Sequence, residues 1–170
     1  MAITFQIGRE ERRINPDAKS SLKVIEELRL MGANDLAEAI AKRVRGGLSE
    51  IVDVSTEWPK LLRALDHVQN AEPGGWETGE LTDESVSMWF EVRDWLLGIF
   101  DMGSDLYEVI PLKGGARFGF CSYSGEYGVG DRLVQPAEGA WRVVEVRSQP
   151  FGPSRDGGVL VAEHDPRDGR

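Results

Sequence analysis

The side chains best placed to do chemistry are the carboxylates Glu77, Glu80, Asp83 and Glu84; Glu72 and Trp76 stand in the same acidic segment. Neighbouring carboxylates can hold different protonation states and act as acid and base, or can wrap a calcium ion. The spacing here lacks the alternating Asp-x-Asp-x-Asp-Gly order of a calcium loop. Asp83 and Glu84 stand directly after Thr82, where acids complement the positive end of a helix. Capping and solvation therefore account for most of the cluster. Trp76 is different, because a ring between Gly75 and Glu77 in a polar loop has no core to enter. Such a ring, surrounded by acids, suits a contact anchor for a protein partner with a basic surface.

Other chemistry is thinner. His67 and His164 are the two histidines, and neither has a second ligand at metal-binding spacing. Cys121 is the single cysteine, which excludes an internal disulfide and suits a reducing compartment. Ser122-Tyr123-Ser124-Gly125 does not match a nucleophile elbow, and Gly125, Gly128 and Gly130 lack the order of a dinucleotide loop. No metal and no cofactor is expected. An enzyme remains an alternative only as a small-ligand cleft lined by Cys121, Tyr123 or Glu126.

A nucleic-acid reading would use the paired helices of residues 16–45 with Arg9, Arg12, Arg13, Lys42, Arg43 and Arg45. Two features disfavour it. The second helix begins Asn34-Asp35 with Glu38 a turn later, placing acids where a reading helix meets bases. The first 46 residues also hold 9 bases against 7 acids, a weak electrostatic footprint.

The whole chain carries 29 acids and 20 bases, a net charge of −9. The imbalance is local: residues 47–106 hold 13 acids against 3 bases, Lys60, Arg63 and Arg93. A net negative surface repels nucleic-acid backbone and attracts basic proteins. Five Trp and six Phe in a 41% hydrophobic chain argue for packed cores. The opening Met1–Phe5 lacks the charged and apolar regions of a secretory signal. No stretch reaches the ~20 apolar residues of a membrane helix, so the expectation is a cytoplasmic protein without a membrane role.

The elements that must position these groups change character along the chain. Ile3, Phe5 and Ile7 alternate with polar residues, the period of a strand. That strand needs a ladder partner, and strand-like material otherwise lies after residue 105, so the two ends are expected to share a sheet. Arg9–Arg13 reads as a solvated connector. Asn15-Pro16-Asp17 starts a first helix with Asn15 as cap, and Asn34 caps a second. A third runs from about Thr56, capped by Ser55 or Thr56. The fourth, from Thr82 to about Phe100, has Val86, Trp89, Phe90, Leu96, Leu97 and Phe100 on one side and Met88, Val92, Trp95 and Ile99 on the next. That apolar arc is about twice the stripe a surface helix needs, so the helix is central core or carries an interface. Trp95 and Ile99 then join the partner surface, and a homodimer through helix 82–100 is a further expectation.

From Leu106 the pattern becomes short strands between Gly-bearing turns; 12 of the 20 glycines lie from Gly103 onward. The expected fold is α+β: a four-helix region (1–103) packed on a small antiparallel sheet or partly closed β-barrel (104–163), the N-terminal strand joining that sheet, and a flexible tail (164–170). The expected function is a non-enzymatic adaptor, inhibitor or immunity- or antitoxin-like binder.

Overall fold

The structure, a computed structural model, describes residues 2–46, 51–71, 83–100, 105–122, 126–135, 138–148 and 158–168. The chain divides into two compact units, Met1–Asp101 and Met102–Arg170. Both helices and strands are present, so the fold is α+β.

The first unit opens with β1 (Ile3–Ile7) and β2 (Glu10–Ile14) and continues with α1 (Ala18–Leu30), α2 (Asn34–Val44), β3 (Val52–Asp53), α3 (Trp58–Ala71) and α4 (Asp83–Phe100). Here the expectation for the N-terminal strand is corrected. β1 pairs antiparallel with β2 and parallel with β3, in a three-stranded sheet of order β2-β1-β3. Its partner is the Arg9–Arg13 segment, which the sequence presents as a connector. Gly8, at φ 58°, permits the tight reversal between the strands. Glu10 to Arg13 are all exposed, so β2 shows no alternation of burial to read.

Helix starts are also corrected. The cap of α1 is Asp17 rather than Asn15: its carboxylate accepts from the Ser20 N–H at 2.9 Å. Ala33 holds the cap position of α2 without a side-chain bond, and Asn34 is already helical. Ser55 does not cap α3; its N–H and hydroxyl both donate to the Asp53 carboxylate.

α1 packs on α2 and α3, and α4 packs on α3 and β2. Their shared core takes Val24, Ile25 and Leu28 from α1, Leu36 and Ile40 from α2, and Leu61, Leu62 and Leu65 from α3. Each such side chain contributes about 1.5–3 kcal/mol through burial. α4 adds Trp89, Val92 and Leu96, a buried i, i+3, i+7 stripe running between the two apolar sides the sequence displays. The Trp89 indole tilts against Phe5 at 6.0 Å, tying helix to sheet.

The second unit holds β4 (Asp105–Pro111), β5 (Phe118–Ser122), β6 (Arg132–Gln135), β7 (Gly139–Ser148) and β8 (Gly158–His164). The sheet order is β5-β4-β8-β7-β6; β4 and β8 are parallel and the other pairs antiparallel. The two outer strands approach each other, and the Gln135 side-chain amide donates to the Gly119 carbonyl. The sheet is thus nearly closed into a barrel, which limits the open edges a flat sheet would present. Inside lie Tyr107, Val109, Phe120, Tyr127, Leu133, Trp141, Val143, Leu160 and Ala162. Tyr127 sets its ring edge-on to both Tyr107 and Phe120, at 5.7 and 5.4 Å. Gly130, at φ 92°, makes the turn into β6, closed by the Gly128 N–H donating to the Asp131 carboxylate.

Of the segment expected as a flexible tail, residues 164–168 are described. His164 ends β8, and Asp165 is buried before a 3₁₀ turn, Pro166–Asp168. The Asp165 N–H donates to the Ala140 carbonyl and its carboxylate binds Arg132 and Arg167. A buried ion pair fixes this segment against the barrel.

Candidate functional site

α4 positions the described part of the expected partner surface. Its packed stripe fixes the rotation of the helix, leaving Glu91 and Asp94 exposed. Trp95 and Ile99 are half-buried on the flanks of that stripe. Asp83 and Glu84 form the first turn of α4; their side chains, and all of Glu72, Trp76, Glu77 and Glu80, lie outside the described residues.

The basic residues of the alternative surface divide between the β1–β2 hairpin and the C-terminal end of α2. Arg12 reaches from β2 to Glu91 of α4 at 3.2 Å. Arg45 donates to Glu38 at 2.6 Å, and Arg29 approaches the same carboxylate at 3.7 Å. The Arg45 hydrogen bond and charge hold the Glu38 carboxyl below its usual range against a small opposing effect of burial, with Arg29 and Lys42 adding to the pull. Arg43 is buried, while Arg9, Arg13 and Lys42 are exposed. Arg12 and Arg45 therefore serve internal acids rather than a continuous stripe for phosphate.

Of the residues named for an enzymatic cleft, Cys121 and Glu126 are exposed and Tyr123 lies outside the described residues. Cys121 sits on β5 directly across from Leu106 of β4. Among the described residues, no three His, Cys, Asp or Glu side chains come together as a metal-holding group. No helix among them is long and apolar enough to cross a membrane.

Three arrangements escape a sequence reading. Between α1 and α3, His67 Nδ1 lies 2.8 Å from Glu27 Oε1, both side chains shut away from solvent. Nearby, the Trp89 indole N–H donates to Ser20 Oγ at 3.1 Å, and that hydroxyl donates to the Asp17 carboxylate. This chain of bonds joins α4 to the cap of α1. In the barrel unit, Arg132 donates to Asp165 at 3.0 Å, and Arg167 grips the same carboxylate through its Nε and Nη2. Burial pushes the Asp165 carboxyl up, but the Arg167 hydrogen bonds and the charges of Arg167 and Arg132 outweigh it and hold it below the usual range. The signal for the first was Glu27 itself, an acid three residues after Val24 and one before Leu28 on a core-facing helix. Its partner forty residues on has no local signature.

The barrel unit also has a cavity of 160 Å³ lined by Pro111, Lys113, Gly114, Trp141, Glu163 and His164. Adjacent strand ends build it: Pro111 pairs with Ala162, and Trp141 pairs with His164. The His164 imidazole stacks on the Trp141 indole at 3.9 Å.

Comparison of the chain with protein-family models, with curated proteins and with solved structures finds no match in any of the three.

Proposed function

We propose that this chain is a non-enzymatic cytoplasmic binding protein, an adaptor or inhibitor, that docks on a protein partner with a basic surface. The docking surface is the 72–84 segment, with Glu72, Trp76, Glu77, Glu80, Asp83 and Glu84, extended by Trp95 and Ile99 of α4. One observation carries the reading: residues 47–106 concentrate 13 acids against 3 bases, while the rest of the chain is nearly balanced. Two further observations support it. The half-buried Trp95 and Ile99 leave apolar surface on the helix that follows this segment. Arg12 and Arg45 are engaged with acids of the same chain, which weakens the nucleic-acid alternative.

Acidic groups around an aromatic anchor divide the work of recognition. The charges steer encounter and set salt dependence, and the ring supplies the desolvated contact that slows dissociation. A pull-down from nuclease-treated native lysate, read by mass spectrometry at low and high salt, tests the reading. A stoichiometric basic protein retained at low salt and released at high salt is expected. Recovery of the bait alone would count against a tight partner of this kind.

A further inference from the structure

We propose that the cavity on the barrel unit is a binding site for a small aromatic carboxylate. The proposal stands on the geometry of this unit and does not depend on the docking surface. Pro111 and Trp141 give the cavity apolar walls, and the His164 imidazole stacked on the indole lines it as a second flat ring. At 160 Å³ the cavity is well short of the roughly 300–1,000 Å³ of a pocket for a drug-sized molecule, so it suits a single ring.

Charge selects the sign of the ligand. Glu163 lines the cavity, but its carboxylate is already bound by Arg142 from the neighbouring strand. Lys113, on the turn between β4 and β5, has no ion pair or hydrogen bond among the described residues. The unbalanced charge at the cavity is therefore the Lys113 ammonium, and an anionic group beside a ring would neutralise it. A ring with a cationic group would meet that ammonium and an acid already paired. Affinity for so small a ligand should be on the order of millimolar.

Amide NMR of the full chain titrated with benzoate tests the site, with benzylamine as the cationic counterpart and Lys113→Gln as the variant. Lys113 is exposed on a turn, so its substitution leaves the barrel core intact. The expected result is saturable shifts at Lys113, Gly114, His164 and the Trp141 indole N–H, a threefold or greater loss of affinity in Lys113→Gln, and no saturation with benzylamine. Unsaturable or scattered shifts with benzoate would overturn the proposal. So would equal response to benzylamine, or a benzoate affinity that Lys113→Gln leaves unchanged.

Discussion

The helical unit buries Glu27 with His67, 2.8 Å apart between α1 and α3; the barrel unit buries Arg132 with Asp165, 3.0 Å apart. Both join residues far apart in sequence, and both are shut away from solvent. Their chemistry differs at the basic member. An imidazole can exist uncharged, so the Glu27–His67 contact keeps a hydrogen bond in more than one protonation state. A guanidinium cannot lose its proton, so Arg132 always brings a full charge into the interior. The barrel answers with a second cation, Arg167, half outside, which binds the same carboxylate and lets solvent share the charge. Glu27 thus meets a base that can change its charge, whereas Asp165 meets one that cannot and is itself held by Arg167.

That contrast fixes the order of mutational effects. The largest belongs to Asp165→Ala, which removes the acid paired with the buried Arg132: urea unfolding should report a loss of about 3–5 kcal/mol in the barrel unit. A loss below about 1 kcal/mol would erase the distinction between the two pairs. Acid sharpens the same point. Because the folded protein holds the Asp165 carboxyl below the ordinary 3.8, its contribution is complete above that pH and disappears as pH falls through the lower folded value. Asp165→Asn should flatten that acid limb of the stability profile.

Glu27→Gln and His67→Gln should each cost about 1–3 kcal/mol, less than Asp165→Ala, because an amide still offers a bond to the remaining partner. Their double variant should fall short of the sum by at least about 0.5 kcal/mol. Strict additivity would mean that the two side chains are adjacent without being coupled.

Tyr107 extends the comparison to a neutral group. Burial, reinforced by the Asp105 charge, pushes its phenol up to about 12 from an ordinary 10. The stability this gives is complete below pH 10 and is lost as pH rises through about 12. In Tyr107→Phe that alkaline loss should shrink, and an identical alkaline profile would place the effect elsewhere. The smallest change is expected for Arg12→Ala at the exposed contact with Glu91: under about 1 kcal/mol, and less at high salt.

What the sequence made legible follows from which forces act locally. The five strands of the barrel unit announce themselves because apolar residues alternate between glycine-bearing turns, as in Asp105–Pro111 with its odd positions buried. The helices are likewise plain from their spacing. β2 was hidden because Glu-Glu-Arg-Arg carries no apolar alternation, and its strand state comes from the ladder with β1. Asp17 rather than Asn15 holds the cap, its carboxylate accepting from both the backbone N–H and the hydroxyl of Ser20. After β8, Asp165 and Arg167 read as solvated charges until Arg132, 33 residues away, gives Asp165 a buried partner. The same distance effect conceals the cavity, whose walls come from three separate strand ends.

In the proposed function the acidic 72–84 segment steers a basic partner onto this chain. The most direct test of this steering is the association rate of a protein captured at low salt, measured across a salt series for the wild type and for Glu77→Lys with Glu80→Lys. The wild-type rate should fall steeply as salt rises, and the variant should associate more slowly with a flatter dependence. Superimposable curves for the two proteins would contradict the claim and remove this segment as the docking surface.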